Sequence, residues 1–169
     1  LGSVLREQGR LEEAEEVYRK ALSIAPEFYV SHHNYSNMLA AAGRIDEAEA
    51  TAERTIALNP RCAIAYRHLA DIRRQPPGAG TIEAMESLYA EPDLEDEDRM
   101  HLAFALGKTH DGLGDFAKAF DFYAAGNAIR GKSESFSVED KARYFETLKT
   151  LFSKDFFAAR TECGVRDET

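Results

Sequence analysis

The sequence predicts an all-α protein: a right-handed α-α solenoid of about four helix pairs with a C-terminal capping helix. Three observations predict it. Apolar residues recur at helical spacing, as in Leu11, Ala14, Val17, Tyr18, Ala21 and Leu22. The stretch LGSVLREQGRLEEAEEVYRKALSIAP (1–26) returns as YSNMLAAAGRIDEAEATAERTIALNP (35–60), pairing Gly9 with Gly43, Ala14 with Ala48 and Pro26 with Pro60 at a separation of 34. A further copy, LGKTHDGLGDFAKAFDFYAAGNAIRG (106–131), places Gly114, Ala119 and Tyr123 where Gly9, Ala14 and Tyr18 stand in the first.

Each unit follows from its residues. Residues 1–26 form one repeat lacking the start of its first helix, and 29–60 a complete one. Gly43 and Gly114 lie 71 residues apart, two periods and three residues more, so an irregular unit (63–91) sits between them. Tyr66, Leu69 and Ala70 open that unit, QPPGAG (75–80) replaces its tight turn, and TIEAMESLYAEP supplies its second helix. The acidic EPDLEDED (91–98) reads as a solvated helix start, carboxylates favouring the positive end of a helix, and less well as a site for a basic partner. The fourth repeat spans 98–130, and the repeats together 1–131. Gly9, Gly43 and Gly114 should end first helices in the left-handed conformation. Ala14, Ala48 and Ala119 should mark close helix approach, with Tyr18 and Tyr123 filling the wider gap one turn on, while Pro26 and Pro60 stop second helices. Residues 132–160 should hold a capping helix and a following turn. KSESFS (132–137) is the connector, Ser137 the N-cap, and Val138, Ala142, Phe145, Leu148, Leu151 and Phe152 the apolar stripe that covers the open end of the solenoid. Residues 161–169 read as a linker toward a further domain.

Bulk properties exclude several functions. With 21 basic and 30 acidic residues, net charge −9 and pI about 5.1, the chain has no electrostatic footprint for nucleic acid or an anionic membrane. Cys62 and Cys163 are far apart and form no disulfide framework or zinc spacing, which fits a cytoplasmic protein. Gly107-Lys108-Thr109 invites a phosphate-loop reading, but Leu102 stands where that loop needs its first glycine. His32, His33, His68, His101 and His110 fit no nucleophile or metal motif. We therefore expect no catalytic residue, metal or cofactor in this chain.

The period of 34, with L-G, G, A, Y/F, A and P at these offsets, resembles the tetratricopeptide repeat (TPR). That resemblance implies protein or peptide binding in a groove lined by the first helix of each pair, at its second, fifth, sixth, ninth, twelfth and thirteenth slots. The residues expected there are Arg6 from the first repeat, and His33, Asn34 and Asn37 from the second. The third contributes Arg67, His68, Asp71 and Arg74, and the fourth Phe104, Lys108 and Asp111. Asn34 and Asn37 rank first, since an amide offers both donor and acceptor to the main chain of an extended ligand. The carboxylate-clamp members of the family that hold chaperone tails have a lysine where His33 stands and an arginine where Ala105 stands, so this chain departs from that subtype. An exposed solenoid end beside Leu1 also allows pairing between copies.

A narrower resemblance covers roughly residues 82–160. Leu102, Phe104-Ala105-Leu106-Gly107-Lys108, then Leu113-Gly114-Asp115-Phe116, then Ala119-Phe120, Tyr123, Asn127 and Arg130 resemble the last repeat of bacterial TPR proteins whose C-terminal half is a sulfotransferase. The resemblance implies a parent enzyme using 3′-phosphoadenosine 5′-phosphosulfate (PAPS), held by a Pro-Arg-Ser-Gly-Thr-like loop after a strand. No such loop occurs in these 169 residues, so none of that family's catalytic residues carries over. The chain would be the repeat part of such a protein, with the adjoining catalytic domain as a further partner; a freestanding adaptor is the alternative.

Overall fold

A computed structural model of the chain describes residues 1–133 and 138–158. Eight helices form the first of two compact units, Leu1–Ser133, in four consecutive pairs. They are α1 (Gly2–Glu7) with α2 (Leu11–Ile24), α3 (Tyr29–Ala41) with α4 (Ile45–Leu58), α5 (Ala63–Ile72) with α6 (Ala79–Tyr89), and α7 (Asp96–Gly112) with α8 (Phe116–Ser133). No strand occurs among the described residues.

The turns follow the glycines. Gly9, Gly43 and Gly114 have φ of 74°, 76° and 79°, a conformation that side chains with a Cβ rarely adopt, and each closes the first helix of its pair. Second helices then begin with a repeated device: Arg10 forks onto Glu13 with both nitrogens at 2.6 Å, and 34 residues later Arg44 forks onto Glu47 at the same distance. Arg44 also reaches Glu15 of the preceding pair at 2.8 Å, linking α2 to the α3–α4 turn. These guanidiniums hold the carboxyls of Glu13, Glu15 and Glu47 below the usual range.

Within a pair, one contact sets the spacing. A Cβ on Gly2 would stand 2.6 Å from the Tyr18 ring, and one on Gly107 would stand 2.8 Å from the Tyr123 ring, so each tyrosine lies directly on the bare backbone of the facing helix. In the second pair the glycine position is Ser36 and the tyrosine position is Ala52, both buried: the small position gains a hydroxyl where the ring opposite has gone. Ala14, Ala48 and Ala119 are buried at the neighbouring approach. Apolar side chains fill the layers between pairs, Leu5, Tyr18, Met38 and Leu39 in one cluster and Tyr66, Met85, Leu88, Leu102 and Leu106 in another.

Three details depart from the sequence expectation. α5 ends at Ile72 and α6 starts at Ala79, so the irregular turn lies earlier than QPPGAG and leaves Arg74 in a loop instead of on a first helix; the consecutive prolines supply no N–H and restrict the residue before them. α8 runs on through Lys132 and Ser133, where the sequence predicts the connector. Leu94, inside the acidic stretch, is buried, and Arg99 donates to the carbonyls of Tyr89, Glu91 and Leu94, so that segment is pinned to the core as the start of α7.

The second unit holds α9 (Val138–Leu151) and α10 (Lys154–Ala158). Phe156 packs edge-on against Phe152 and Phe157 at 5.1 and 5.4 Å. Ser137 and residues 161–169 lie outside the described residues.

Gly107→Ala should destabilise the fold by about 1–3 kcal/mol, because the Tyr123 ring must shift. Gly43→Ala should cost about 1–2 kcal/mol through its left-handed backbone alone. Gly131→Ala, facing open space near the end of α8, should be neutral or slightly stabilising. Urea denaturation of the three variants checks the order.

Candidate binding face on the first helices

The stacking of pairs brings α1, α3, α5 and α7 side by side, and their outward slots meet across helix boundaries. The His33 ring of α3 meets the His68 ring of α5 edge-on, centroids 5.8 Å apart. The Arg67 guanidinium of α5 lies 4.4 Å from the centre of the Phe104 ring of α7, a cation–π contact. Lys108 of α7 donates to the Asp71 carbonyl at 3.0 Å and stands 3.7 Å from its carboxylate, which also accepts from Arg67 at 3.2 Å. Six of the eleven expected residues thus meet in two contact groups, His33 with His68 and Arg67 with Phe104, Asp71 and Lys108, which are joined along α5 by the adjacent Arg67 and His68.

The others take different positions. Asn37 donates both amide hydrogens within its own helix, to the carbonyl and to Nε2 of His33, each at 3.0 Å, so only its oxygen remains for a ligand. Asn34 is half-buried and makes no such bond, which leaves both its donor and its acceptor available. Arg6 is partly exposed, with only its neighbour Glu7 at 3.8 Å. Arg74 and Asp111 line a cleft of about 130 Å³ with Gln75, Pro76 and Lys108, where the irregular loop meets the end of α7. Phe104 does more than face outward: a Cβ on Gly126 would stand 3.2 Å from its ring, so it is wedged against α8 and carries Arg67 on its free side.

Hydrogen bonding assigns the imidazole protons. Ser36 is fully buried and its single hydroxyl hydrogen goes to the Ala48 carbonyl at 2.6 Å. His68 Nε2, 2.9 Å from that hydroxyl, must therefore be the donor. His33 Nε2 accepts from Asn37, so its proton is on Nδ1, a buried atom with no hydrogen-bond partner among the described residues. Burial pushes His33 down to about 4, with His68, Arg6 and His101 adding to the effect, and burial likewise lowers His68 and His101.

His101 and Ser36 were missed as members of this face. His101 occupies the second slot of the fourth repeat, so the slot rule contained it; Ser36 occupies a glycine slot and signalled itself only by breaking the repeat. Lys108 is spent on Asp71 of the neighbouring helix, which places the Gly-Lys-Thr triplet in the packing of the solenoid. His110 is also structural: it is buried, stacked on Phe122 at 5.5 Å, and 3.6 Å from Glu86. No cluster of three metal-ligating side chains occurs among the described residues.

The folded chain resists protonation of His33 while the unfolded chain does not, so stability contributed by this group is full above about pH 6.5 and falls as pH drops toward about 4. His33→Gln should shrink the fall in Tm between about pH 7 and about pH 5, a range above most carboxylate titration. Thermal unfolding at stepped pH measures the difference, and equal falls in both proteins would contradict it.

Comparison with known proteins agrees with this architecture. The tetratricopeptide repeat family matches residues 5–72, the first two pairs and α5. Among solved structures, a crystal structure of MamA is similar with a TM-score of 0.57 at 20% identity, covering 76% of this chain and 74% of that one. The MamA RS-1 ArsTM double mutant gives 0.56 at 20% identity over 80% and 74%, and MamA MSR-1 C2 gives 0.53 at 14% identity over 79% and 75%. No curated protein matches the sequence. At these identities the likeness is one of fold: residues 1–133 fold as an α-α solenoid of tetratricopeptide type, with repeats that the family itself matches in the N-terminal half.

Proposed function

We propose that the chain is a protein- or peptide-binding scaffold module that receives an extended segment along its first-helix face. One observation carries the reading: slots from three successive repeats meet in a single row through His33–His68, Arg67–Phe104 and Lys108–Asp71. The row is largely polar and partly buried, and beside it Asn34 offers the unpaired main-chain groups of an extended segment both a donor and an acceptor fixed on a rigid helix. Asn34 is the best placed, its amide unspent in an otherwise bonded row.

The narrower reading is that this scaffold belongs to a larger sulfotransferase, whose PAPS-binding domain would follow the chain and whose acceptor the repeats would present. What supports it is the pattern from Leu102 to Arg130 across α7 and α8. The coding sequence beyond Thr169 decides it: a strand followed by a Pro-Arg-Ser-Gly-Thr-like loop supports the enzyme, and an early stop supports a freestanding adaptor. In either case PAPS should leave the Tm of residues 1–169 unchanged; a stabilisation of about 2.7 kcal/mol at a hundredfold excess over Kd would place a nucleotide site inside this chain.

Peptides selected on the wild-type chain from a random library test the binding reading. Asn34→Ala should weaken them by about 1–2 kcal/mol, roughly five- to thirtyfold, and Arg67→Ala should weaken them also, with helical circular dichroism unchanged. Unaltered affinity in both variants would move the site off this face.

A further inference from the structure

The last second helix breaks a pattern that the first three keep. Glu15 of α2, Glu49 of α4 and Glu86 of α6 occupy one slot, and each meets a basic group from the end of the next first helix or the turn after it: Arg44 at 2.8 Å, Arg73, and the His110 ring at 3.6 Å. In α8 that slot holds Phe120, 34 residues after Glu86 and 70% exposed. One turn earlier Phe116 takes the slot of the partly buried Leu11, Ile45 and Ile82, and it is 67% exposed. A fifth pair of the same kind would bring its cation to a slot without a carboxylate, so this face is built for a different neighbour.

The sizes of its side chains give that neighbour's shape. At about 100° per residue, Phe116, Ala117, Phe120, Ala124, Asn127 and Ala128 fall within an arc of about 120°, all exposed and none charged. Bulk lies in the N-terminal half and small residues in the C-terminal half. Laid antiparallel against itself, the helix sets Phe120 opposite Ala124, Phe116 opposite Ala128 and Ala117 opposite Asn127, and all three pairings share one centre at Phe122. Phe122 itself is turned inward, onto Tyr89 and His110.

We propose that α8 pairs with α8 of a second copy of this chain, antiparallel about a twofold axis beside Phe122, to give a reversible dimer. Each phenylalanine then packs over an alanine of the other copy, where a bare methyl group leaves room for a ring. The contact is isologous, so both copies gain the same pairings and association stops at two. At 67% and 70% exposure, two rings of about 200 Å² offer roughly 270 Å² per copy, and with the small residues around them the pairing removes on the order of 800 Å² in total. That is below the roughly 1,200–2,000 Å² of a stable complex, so the dimer dissociates in the range of about 10–100 µM. The pairing uses a second helix and none of the residues of the first-helix face.

Sedimentation equilibrium of the full chain between about 5 and 500 µM tests this. The mass should rise with concentration from 18.9 kDa toward twice that value. Phe120→Glu should weaken the dimer at least about tenfold, because each copy then carries an unpaired carboxylate into an apolar contact. Phe120→Ala and Ala124→Phe should each weaken it as well, the first by leaving a gap and the second by setting ring against ring. Combined in one chain they restore large against small, and the dissociation constant should return to within about threefold of the wild-type value. Both positions are exposed, so helical circular dichroism should not change; should a variant unfold, Ala128→Glu, opposite Phe116, takes its place. A mass of 18.9 kDa at every concentration would overturn the proposal and leave the face to another segment of the same chain. A dimer indifferent to Phe120→Glu would also contradict it, by placing the pairing elsewhere on the chain. A double variant no better than its single parents would rule out the antiparallel register.

Discussion

Everything on the first-helix face depends on the close approach of helices within the pairs, which in the first and fourth lays a tyrosine ring of the second helix on a first-helix residue that has no side chain. Gly2 under Tyr18 and Gly107 under Tyr123 leave no room for a methyl group, so the distance between the two helices is set by the thickness of a ring. In the first, second and fourth pairs a left-handed glycine then returns the chain in the same way. With spacing and angle both fixed, α1, α3, α5 and α7 stack with their outward slots adjacent, which is how residues about 34 apart in sequence, such as His33 and His68, come into ring contact. Where the glycine becomes Ser36 and the tyrosine becomes Ala52, the hydroxyl left over is put to use: it bonds a carbonyl of the second helix and accepts from His68, so the same packing position also orients a residue of the face.

Much of this was legible in the sequence, because the repeat makes one physical pattern visible several times. The glycine stops, the small alanines and the proline ends are readable from position alone, and the slots name His33, Arg67, His68, Asp71, Phe104 and Lys108. Legibility failed where the repeat is broken. Arg74 was placed by counting slots on a helix that the paired prolines cut short at Ile72, so it lies in a loop and lines a cleft with Asp111. Side-chain partnerships also escaped the pattern: Asn34 and Asn37 look alike in sequence, yet only Asn37 spends its donors on the preceding turn. Arg10–Glu13 and Arg44–Glu47 repeat at the same period as the glycines, but a charge pair at that spacing is common on any helix and does not announce itself.

The chemistry of the face follows from placing polar groups on a packed scaffold. Half-buried imidazoles next to cations remain neutral, and neutral rings act as directional donors and acceptors, as the fixed protons on His33 Nδ1 and His68 Nε2 show. The cations beside them are either held, as Arg67 is over Phe104, or left with a screened neighbour, as Arg6 is.

The central claim is that first helices from successive repeats form one continuous face. Nuclear Overhauser contacts between the His33 and His68 rings, together with upfield-shifted Arg67 side-chain protons that return to ordinary positions in Phe104→Leu, test it most directly. The account predicts both signals in the free protein. Absence of the ring contact, with Arg67 unshifted, would mean that α3, α5 and α7 do not share a face and would contradict it.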